Sequence, residues 1–493
     1  MSDISYKFFQ DKHLKYYDFY KNYELKDTEF WGLGIENESY LMFENFDTVE
    51  KSFILNNQKR ERYSVDYWVN FKKDRLTNAL ELLPDNIKVP IYINGYLFQK
   101  TDLFGEPTKR YTKLAEENPK FSGETIEQYL KNNSSVYNKL FDKYMIYDGD
   151  TFEFTTYNFY KTNVKSILDE LIGIKKLFLE EVNDKLFNKN SNQKYLFNDR
   201  IIYPKFNYGL AKFRTNMNNI SICNNGTYHI NITLPTEIND KGDIIDKEKF
   251  KNVHSNAIRA IQWFEPFLIA LYGSPDIFHM LNPNYAGGSL RLMLSRYIGL
   301  GTYDTDSMIK GKMLNDFEYN NHYFNKLHQN SPYIPPEKIG YDINYNKFLK
   351  HGIELRIFDY FPEEYLEDIM NFIILICQYS IYSIIPDPKL DEDWNYFVID
   401  ILKNGSNFLV PAKLSDKINC IFKTKTFHLF PFLRYKKARP ILHFMNKISN
   451  KLYILYKDST ICKKMSPDMK RIKFIDYNNI IKYEFTKSLQ IKN

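Results

Sequence analysis

Glu36 and Glu38 stand one residue apart in segment 30–43, which reads FWGLGIENESYLMF. Apolar residues alternate with glycines and acids along it, and this alternation predicts a β-strand. Residues two apart in a strand point to the same face about 7 Å from each other, so both carboxylates face the same way. Two carboxylates on an apolar strand are costly to bury unless they are paired or bind a cation. We therefore predict a metal-binding role, with a solvated edge strand as the alternative.

A third acid, Glu153, lies between two phenylalanines in segment 151–157, directly after the turn sequence DGD at 148–150. The turn followed by alternating residues predicts a second strand. A lone carboxylate between two aromatic side chains has a dry environment, which favours a bound cation. The alternative is a side chain that points outward into solvent.

His229 lies in the sequence TYHINITLP, where it shares one face of a predicted strand with Asn231 and Thr233. A single histidine on a strand is more often structural than functional. The alternatives are a metal ligand and a contact to phosphate.

Two further segments carry arginines. Glu354 and Arg356 lie two apart in GIELRIFD at 352–359, where an ion pair on one strand face is the simplest interpretation. If Glu354 binds a metal, the planar guanidinium of Arg356 is placed to meet a transferred phosphoryl group. Arg291 lies among leucines in segment 287–297, and a buried arginine needs either a bound anion or a structural acid.

The chain contains no Walker A motif, no GxGxxG, no HExxH and no GxSxG. P-loop, dinucleotide-binding, zincin and α/β-hydrolase interpretations therefore have no support. Carboxylates on several strands together with arginines instead indicate Mg²⁺-dependent phosphoryl transfer, in which the protein supplies positioning and charge neutralisation.

These residues need elements that position them. We predict strands at 30–43, 151–157, 227–234 and 352–360, and helices at 161–186, 253–272 and through most of 364–404. The chain has 493 residues, more than the ~250–300 that one core usually serves. We expect an α+β fold with a catalytic domain at 1–390 and a helical, basic C-terminal extension at 391–493.

Charge is distributed unevenly. Segment 413–493 has 19 Lys and Arg against 5 Asp and Glu, so the rest of the chain is acidic. A basic extension suits polyanions or an acidic neighbouring surface. The longest apolar run, 370–386, is shorter than the ~20 residues that cross a bilayer, and the first residues lack the apolar stretch of a secretory signal. We expect no membrane span and a cytoplasmic location.

Taken in order, the motifs resemble those of the glutamate–cysteine ligase family, within the glutamine synthetase-like carboxylate–amine ligase superfamily. The similar stretches are GIENE at 34–38, FEFTT at 152–156, HINITLP at 229–235, WFEPFLIALYGSP at 263–275, SLRL at 289–292 with Tyr297, and GIELRIFD at 352–359. The chain differs from the family pattern in three places. The family's Gly-Ala-Ser-Pro-like turn is Tyr272-Gly273-Ser274-Pro275 here, the spacing between SLRL and Tyr297 is longer, and the basic extension has no counterpart.

The resemblance implies a curved antiparallel sheet that forms the catalytic cradle, with flanking helices. It implies two or three Mg²⁺ ions, with Mn²⁺ as an alternative, held by Glu36, Glu38, Glu153, His229 and Glu354. Arg291 and Arg356 would contact the ATP phosphates as catalytic residues, and His229 would contribute to ATP binding.

The implied reaction joins the side-chain carboxylate of L-glutamate to the amine of L-cysteine, as in glutathione biosynthesis. ATP would phosphorylate the carboxylate, and the amine would displace phosphate from the acyl phosphate. A related ligase with another amine or carboxylate remains an alternative. A second alternative, of a different class, is an inactive fold that binds nucleic acid or membranes through its basic, aromatic extension. The amine, the oligomeric state and the role of the extension are not assigned by the sequence.

Overall fold

The computed structural model describes residues 30–45, 48–50, 87–110, 121–141, 143–157, 163–187, 197–222, 226–237, 245–275, 343–344, 353–423 and 438–490. Arg291 and the rest of segment 287–297 lie outside these residues.

In chain order the strands are β1 (Phe30–Ser39), β2 (Met42–Phe43), β3 (Thr48–Glu50), β4 (Lys88–Tyr92), β5 (Met145–Asp148), β6 (Thr151–Thr155), β7 (Ile201–Ile202), β8 (Leu210–Phe213), β9 (Asn216–Ile222), β10 (Thr227–Thr236), β11 (Ile343–Asn344), β12 (Ile353–Asp359), β13 (Leu409–Val410) and β14 (Arg439–Pro440). The helices are α1 (Gly95–Lys100), α2 (Ile126–Asn133), α3 (Ser135–Leu140), α4 (Val164–Leu186), α5 (Lys247–Tyr272), α6 (Leu366–Ile381), α7 (Glu392–Asn404), α8 (Ala412–Ile421), α9 (Ile441–Tyr456), α10 (Thr460–Met465) and α11 (Tyr477–Gln490).

A six-stranded sheet in the order β11-β12-β10-β1-β6-β5 organises the molecule. Every neighbouring pair in it is antiparallel. A separate four-stranded sheet, β3-β4-β8-β9, contains one parallel pair, β4 with β8. The combination of antiparallel sheet with long helices confirms the predicted α+β class.

One face of the six-stranded sheet is apolar. Ile35, Ile230 and Leu355 are cross-strand partners on this face and are completely buried. Helix α4 packs against β1 and β6, helix α5 packs against β10 and β12, and α6 contacts both helices. The ring of Phe178 on α4 meets Phe154 on β6 edge to face, with centroids 5.1 Å apart. The opposite face of the same strands is thereby left for polar side chains, because successive strand residues alternate between faces.

The helices after residue 390 share this hydrophobic core rather than forming one of their own. Trp394, Phe444 and Phe485 are all members of it. Asn478 on α11 donates a hydrogen bond from Nδ2 to the carbonyl of Gly273 (2.8 Å), directly after α5. The domain boundary at 390 stays a prediction. These contacts show that residues before and after it pack against each other.

The strand and helix predictions are confirmed, with differences at their ends. Helix α5 begins at Lys247 instead of 253 because the side chain of Asp246 caps it by accepting a hydrogen bond from the Lys249 N–H. The predicted strand at 30–43 is divided into β1 and β2. Among the described residues, no helix is both long enough and apolar enough to cross a bilayer.

Candidate metal centre

The register of four strands brings the predicted site residues onto one face of the sheet. Glu36 on β1 is the direct partner of His229 on β10, and Glu38 is the partner of Glu153 on β6. Asn231, two residues after His229, is the partner of Glu354 on β12. Because partners across a ladder share a face, all of these side chains lie on the face opposite the helices.

Arg356 belongs to this group because it lies two residues after Glu354 on the same strand, at the point where a bulge interrupts the ladder between β10 and β12. Tyr228 and Ile230 pair with Phe358 and Leu355, so β12 has one residue more than β10 over this interval. Such bulges bend a strand and re-aim its side chains. Arg356 Nη1 lies 3.1 Å from Glu354 Oε1 and 3.3 Å from His229 Nδ1. Glu354 therefore forms an ion pair with Arg356 and at the same time contacts other residues of the site.

The first group of potential ligands consists of Glu36, His229 and Glu354. His229 Nδ1 lies 3.0 Å from Glu36 Oε2 and 3.4 Å from Glu354 Oε1. The three side chains are 6%, 3% and 0% exposed. Two carboxylates thus converge on one imidazole in a dry environment, where an ionised acid is stable only beside a positive charge.

The second group consists of Glu38, Asp148 and Glu153, whose potential ligand atoms lie within 4.8 Å of one another. The side chain of Glu38 is 13% exposed, and its Oε1 lies 3.7 Å from His229 Nε2, so the imidazole lies between the two groups. Asp148 was not among the predicted ligands. The sequence feature that could have identified Asp148 is the DGD turn. The β5–β6 hairpin pairs Asp148 with Thr151, and this pairing places Asp148 on the same face as Glu153.

Asn231 is a further polar group on this face. It is 5% exposed, and its Nδ2 makes no hydrogen bond within the described part of the chain. The sequence placed Asn231 beside His229 and Thr233 without giving it a role. A buried amide without a partner is unusual in a folded protein, and an amide supplies either an N–H donor or a carbonyl oxygen to a ligand.

The donor set fits a hard divalent cation. Carboxylate oxygens dominate, with one imidazole nitrogen, which is the chemistry that suits Mg²⁺ and Mn²⁺ better than soft metals. An octahedral ion with bonds of about 2.1 Å holds its ligand atoms about 3.0 to 4.2 Å apart. The spread of up to 4.8 Å within each group therefore needs only a small closure around an ion.

Six of the seven predicted site residues lie in one continuous patch. Five of them are the potential metal ligands. The sixth is Arg356, which lies at the rim of the patch with a side chain that is 37% exposed. Arg291 lies outside the described residues, so its predicted contact to ATP stays a prediction.

No protein-family model matches the chain. Over 489 residues the chain is 40% identical to "Uncharacterized protein R704" of Acanthamoeba polyphaga mimivirus. This similarity covers 96% of the present chain and 84% of the mimivirus protein. At that identity over nearly the whole length, the chain belongs to the same family as uncharacterized protein R704.

Proposed function

We propose that the protein is an ATP-dependent carboxylate–amine ligase, with L-glutamate as the acid and L-cysteine as the favoured amine. The observation that carries the proposal is the convergence of two carboxylate-rich groups, joined through His229 and bordered by Arg356, on one face of an antiparallel sheet. The open antiparallel sheet with helices on its other face also supports a glutamine synthetase-like cradle.

Two divalent ions account for the donor set. Glu36, His229 and Glu354 would hold one ion, and Glu38, Asp148 and Glu153 would hold a second. Bound Mg²⁺ supplies charge neutralisation for the phosphoryl group and polarises its oxygens.

Arg356 is the residue of this patch best suited to the transferring phosphoryl group. Its guanidinium is permanently charged and presents donors in a planar fork, and its side chain reaches solvent while the acids beneath it are buried. When ATP is bound, Arg356 would exchange part of its contact with Glu354 for the phosphate oxygens. Glu354 would then be free to meet the metal.

The reaction has two steps. A side-chain carboxylate oxygen of L-glutamate forms a bond to the γ-phosphorus of ATP while the bond from that phosphorus to the β,γ-bridging oxygen breaks, which releases ADP. The amine then attacks the acyl carbon, phosphate leaves with the bonding electrons, and the amine proton passes to solvent. The buried walls of the patch limit hydrolysis of the acyl phosphate by excluding water.

An amine screen tests the proposal. ADP release is measured with purified protein, Mg²⁺, ATP and L-glutamate, while cysteine, ammonia, other amino acids and polyamines are supplied in turn. We expect ADP release that depends on the amine and is greatest with cysteine. Greater release with another amine would identify the related ligase that the sequence left open. No ADP with any pair would overturn the ligase proposal and favour an inactive fold.

Glu38→Gln is the matched variant for this screen. We expect it to abolish turnover, because the amide removes a negative charge from the second group of ligands. Far-UV circular dichroism should match the wild type, since the change conserves side-chain volume. Wild-type turnover in Glu38→Gln would remove this residue from the site.

The expected cytoplasmic location stays a prediction.

A further inference from the structure

A buried lysine lies behind the candidate metal centre, on the apolar face of the same sheet. Lys175, on helix α4, has a side chain that is only 3% exposed. Its Nζ donates a 2.6 Å hydrogen bond to Asn37 Oδ1 and forms an ion pair with Glu363. The ring of Tyr203 lies 4.3 Å from Nζ and the ring of Tyr360 lies 5.1 Å from it. The amino group of Lys175 thus lies between two aromatic rings, one amide and one carboxylate.

The partner of this lysine is the residue that separates the two acids of β1. Asn37 points to the opposite face from Glu36 and Glu38 and is completely buried. Its Nδ2 donates to the carbonyl of Thr227 on β10 (3.1 Å). Thr227 is in turn the cross-strand partner of Glu38. Asn37 therefore joins β1 to β10 by a side-chain bond at the positions where the ligands meet.

Glu363, the acid that pairs with Lys175, extends the network to the chain that follows β12. Glu363 begins a short 3₁₀ helix, Glu363–Tyr365, a few residues after the end of β12. Tyr228 on β10 donates from its hydroxyl to the carbonyl of Phe361 (2.7 Å) and lies 3.3 Å from Glu363 Oε1. The hydroxyl of Tyr203 donates to the Lys175 carbonyl (3.2 Å). One ammonium group thus connects helix α4 with β1, β10 and the chain that leaves β12.

Energetics argue against a purely stabilising role for this network. Burial lowers the pKa of Lys175, and Glu363 opposes that shift, so the charge is held at a desolvation cost. Replacing a buried ion pair by apolar side chains of similar volume is often neutral or stabilising. Buried polar contacts of this kind are best attested where one register must be chosen over another. In β1 a slip by one residue would turn both acids toward the hydrophobic core.

We propose that Lys175 is a positioning residue that fixes, through Asn37, the register and spacing of β1 against β10, and thereby places Glu36 and Glu38 for metal binding. The inference rests on the proposed metal-dependent function. Lys175 itself contacts neither metal nor substrate, since it lies on the other face of the sheet. Its effect reaches the ions through the backbone of β1.

Mn²⁺ titration of Lys175→Met tests the inference, with free Mn²⁺ followed by electron paramagnetic resonance. Methionine keeps most of the side-chain volume and removes both the charge and the bond to Asn37. We expect Mn²⁺ affinity to fall by about tenfold, the lower end of what losing a supporting contact behind metal ligands usually costs. Lys176→Met is the matched control, because Lys176 is the next residue on α4 and is 71% exposed. It should bind Mn²⁺ as the wild type does.

Asn37→Ala provides the second variant, because it removes the link to β1 and leaves the pair of Lys175 and Glu363 in place. We expect the same loss of Mn²⁺ affinity. If Lys175→Met does not fold, this variant alone tests the positioning role. The shape of the bound-Mn²⁺ spectrum at saturation should also change in both variants, which general destabilisation of a folded protein would not cause. Wild-type affinity in either folded variant would overturn the positioning role and leave the ligase proposal intact. If the wild-type protein binds no Mn²⁺, both proposals fail.

Discussion

Glu153→Gln is expected to make the metal-free protein more stable and the Mg²⁺-loaded protein less stable than the wild type. Glu153 and Glu38 are direct cross-strand partners, and like charges in such pairs repel. On one side of this pair, Glu38 lies 3.7 Å from the imidazole of His229, which in turn contacts Arg356. Glutamine conserves the shape of the side chain and removes one of the two charges.

The magnitude follows from the separation of the carboxylates. At the limit of 4.8 Å between the potential ligand atoms, two unit charges repel by about 1 kcal/mol in water and by about 3 kcal/mol at an effective dielectric constant of 20. Glu38 is partly exposed and its Oε1 lies 3.7 Å from His229 Nε2, so the lower value applies. We expect Glu153→Gln to gain about 1 kcal/mol in EDTA. An ion at 100 times its Kd stabilises the wild type by about 2.7 kcal/mol, and the variant should lose most of this gain.

The assay is urea unfolding followed by far-UV circular dichroism, in EDTA and in saturating Mg²⁺. Glu180→Gln is the control, because Glu180 is 58% exposed on α4 and forms a 3.8 Å ion pair with Lys176 of the same helix. It should leave both free energies of unfolding unchanged. A loss of stability for Glu153→Gln in EDTA would refute the electrostatic reasoning. An undiminished Mg²⁺ gain would remove Glu153 from the metal centre.

Two further predictions concern charge in and near the site. Arg356→Lys should lower kcat by at least tenfold with little change in the KM for glutamate, because an ammonium cannot present the planar fork of donors, and steady-state ADP release checks this. A KM effect alone would contradict it. Burial lowers the pKa of His254 to about 4 from 6.5, and His254 Nε2 accepts a bond from the Leu234 N–H. Below pH 6.5 the unfolded chain therefore binds a proton that the folded chain does not, so stability should fall by about 1.4 kcal/mol per pH unit down to about pH 4. Urea unfolding from pH 7 to pH 4 measures this slope, which should be absent in His254→Gln; an equal slope in that variant would assign it to other groups.

Period-two alternation was enough to predict which face of β1 carries Glu36 and Glu38, because side chains in a strand must alternate. Amphipathic spacing likewise predicted α4 and most of α5. The same alternation placed Glu354 and Arg356 on one face, but the pairing of β12 with β10, and the bulge beside Arg356, were not predictable because they depend on two distant strands. Asp148 was overlooked for a similar reason, because its position on the site face is set by the hairpin register.

Lys175 shows the limit of local patterns most clearly. On an amphipathic helix a lysine between apolar positions is expected to be solvated, and its neighbour Lys176 is. Only the tertiary packing of α4 against β1 and the chain after β12 shows that Lys175 is buried against Asn37. The curved cradle and the role of Arg291 remain predictions from the resemblance alone.

The strand order also determines when during folding the metal centre first exists. Glu36 and His229 are 193 positions apart in the chain, and His229 and Arg356 are a further 127 apart. Contacts of such high sequence separation form slowly, because the entropy of closing long loops is lost before the contacts compensate for it. A chain growing on the ribosome has both acids of β1 early, yet it acquires Glu354 only when β12 has been synthesised. Ion binding by Glu36, His229 and Glu354 therefore requires that β12 has joined the sheet, whereas Glu38, Asp148 and Glu153 all lie on strands that are synthesised earlier. A refolding experiment that follows Mn²⁺ uptake should detect two steps, of which the later one reports the joining of β12.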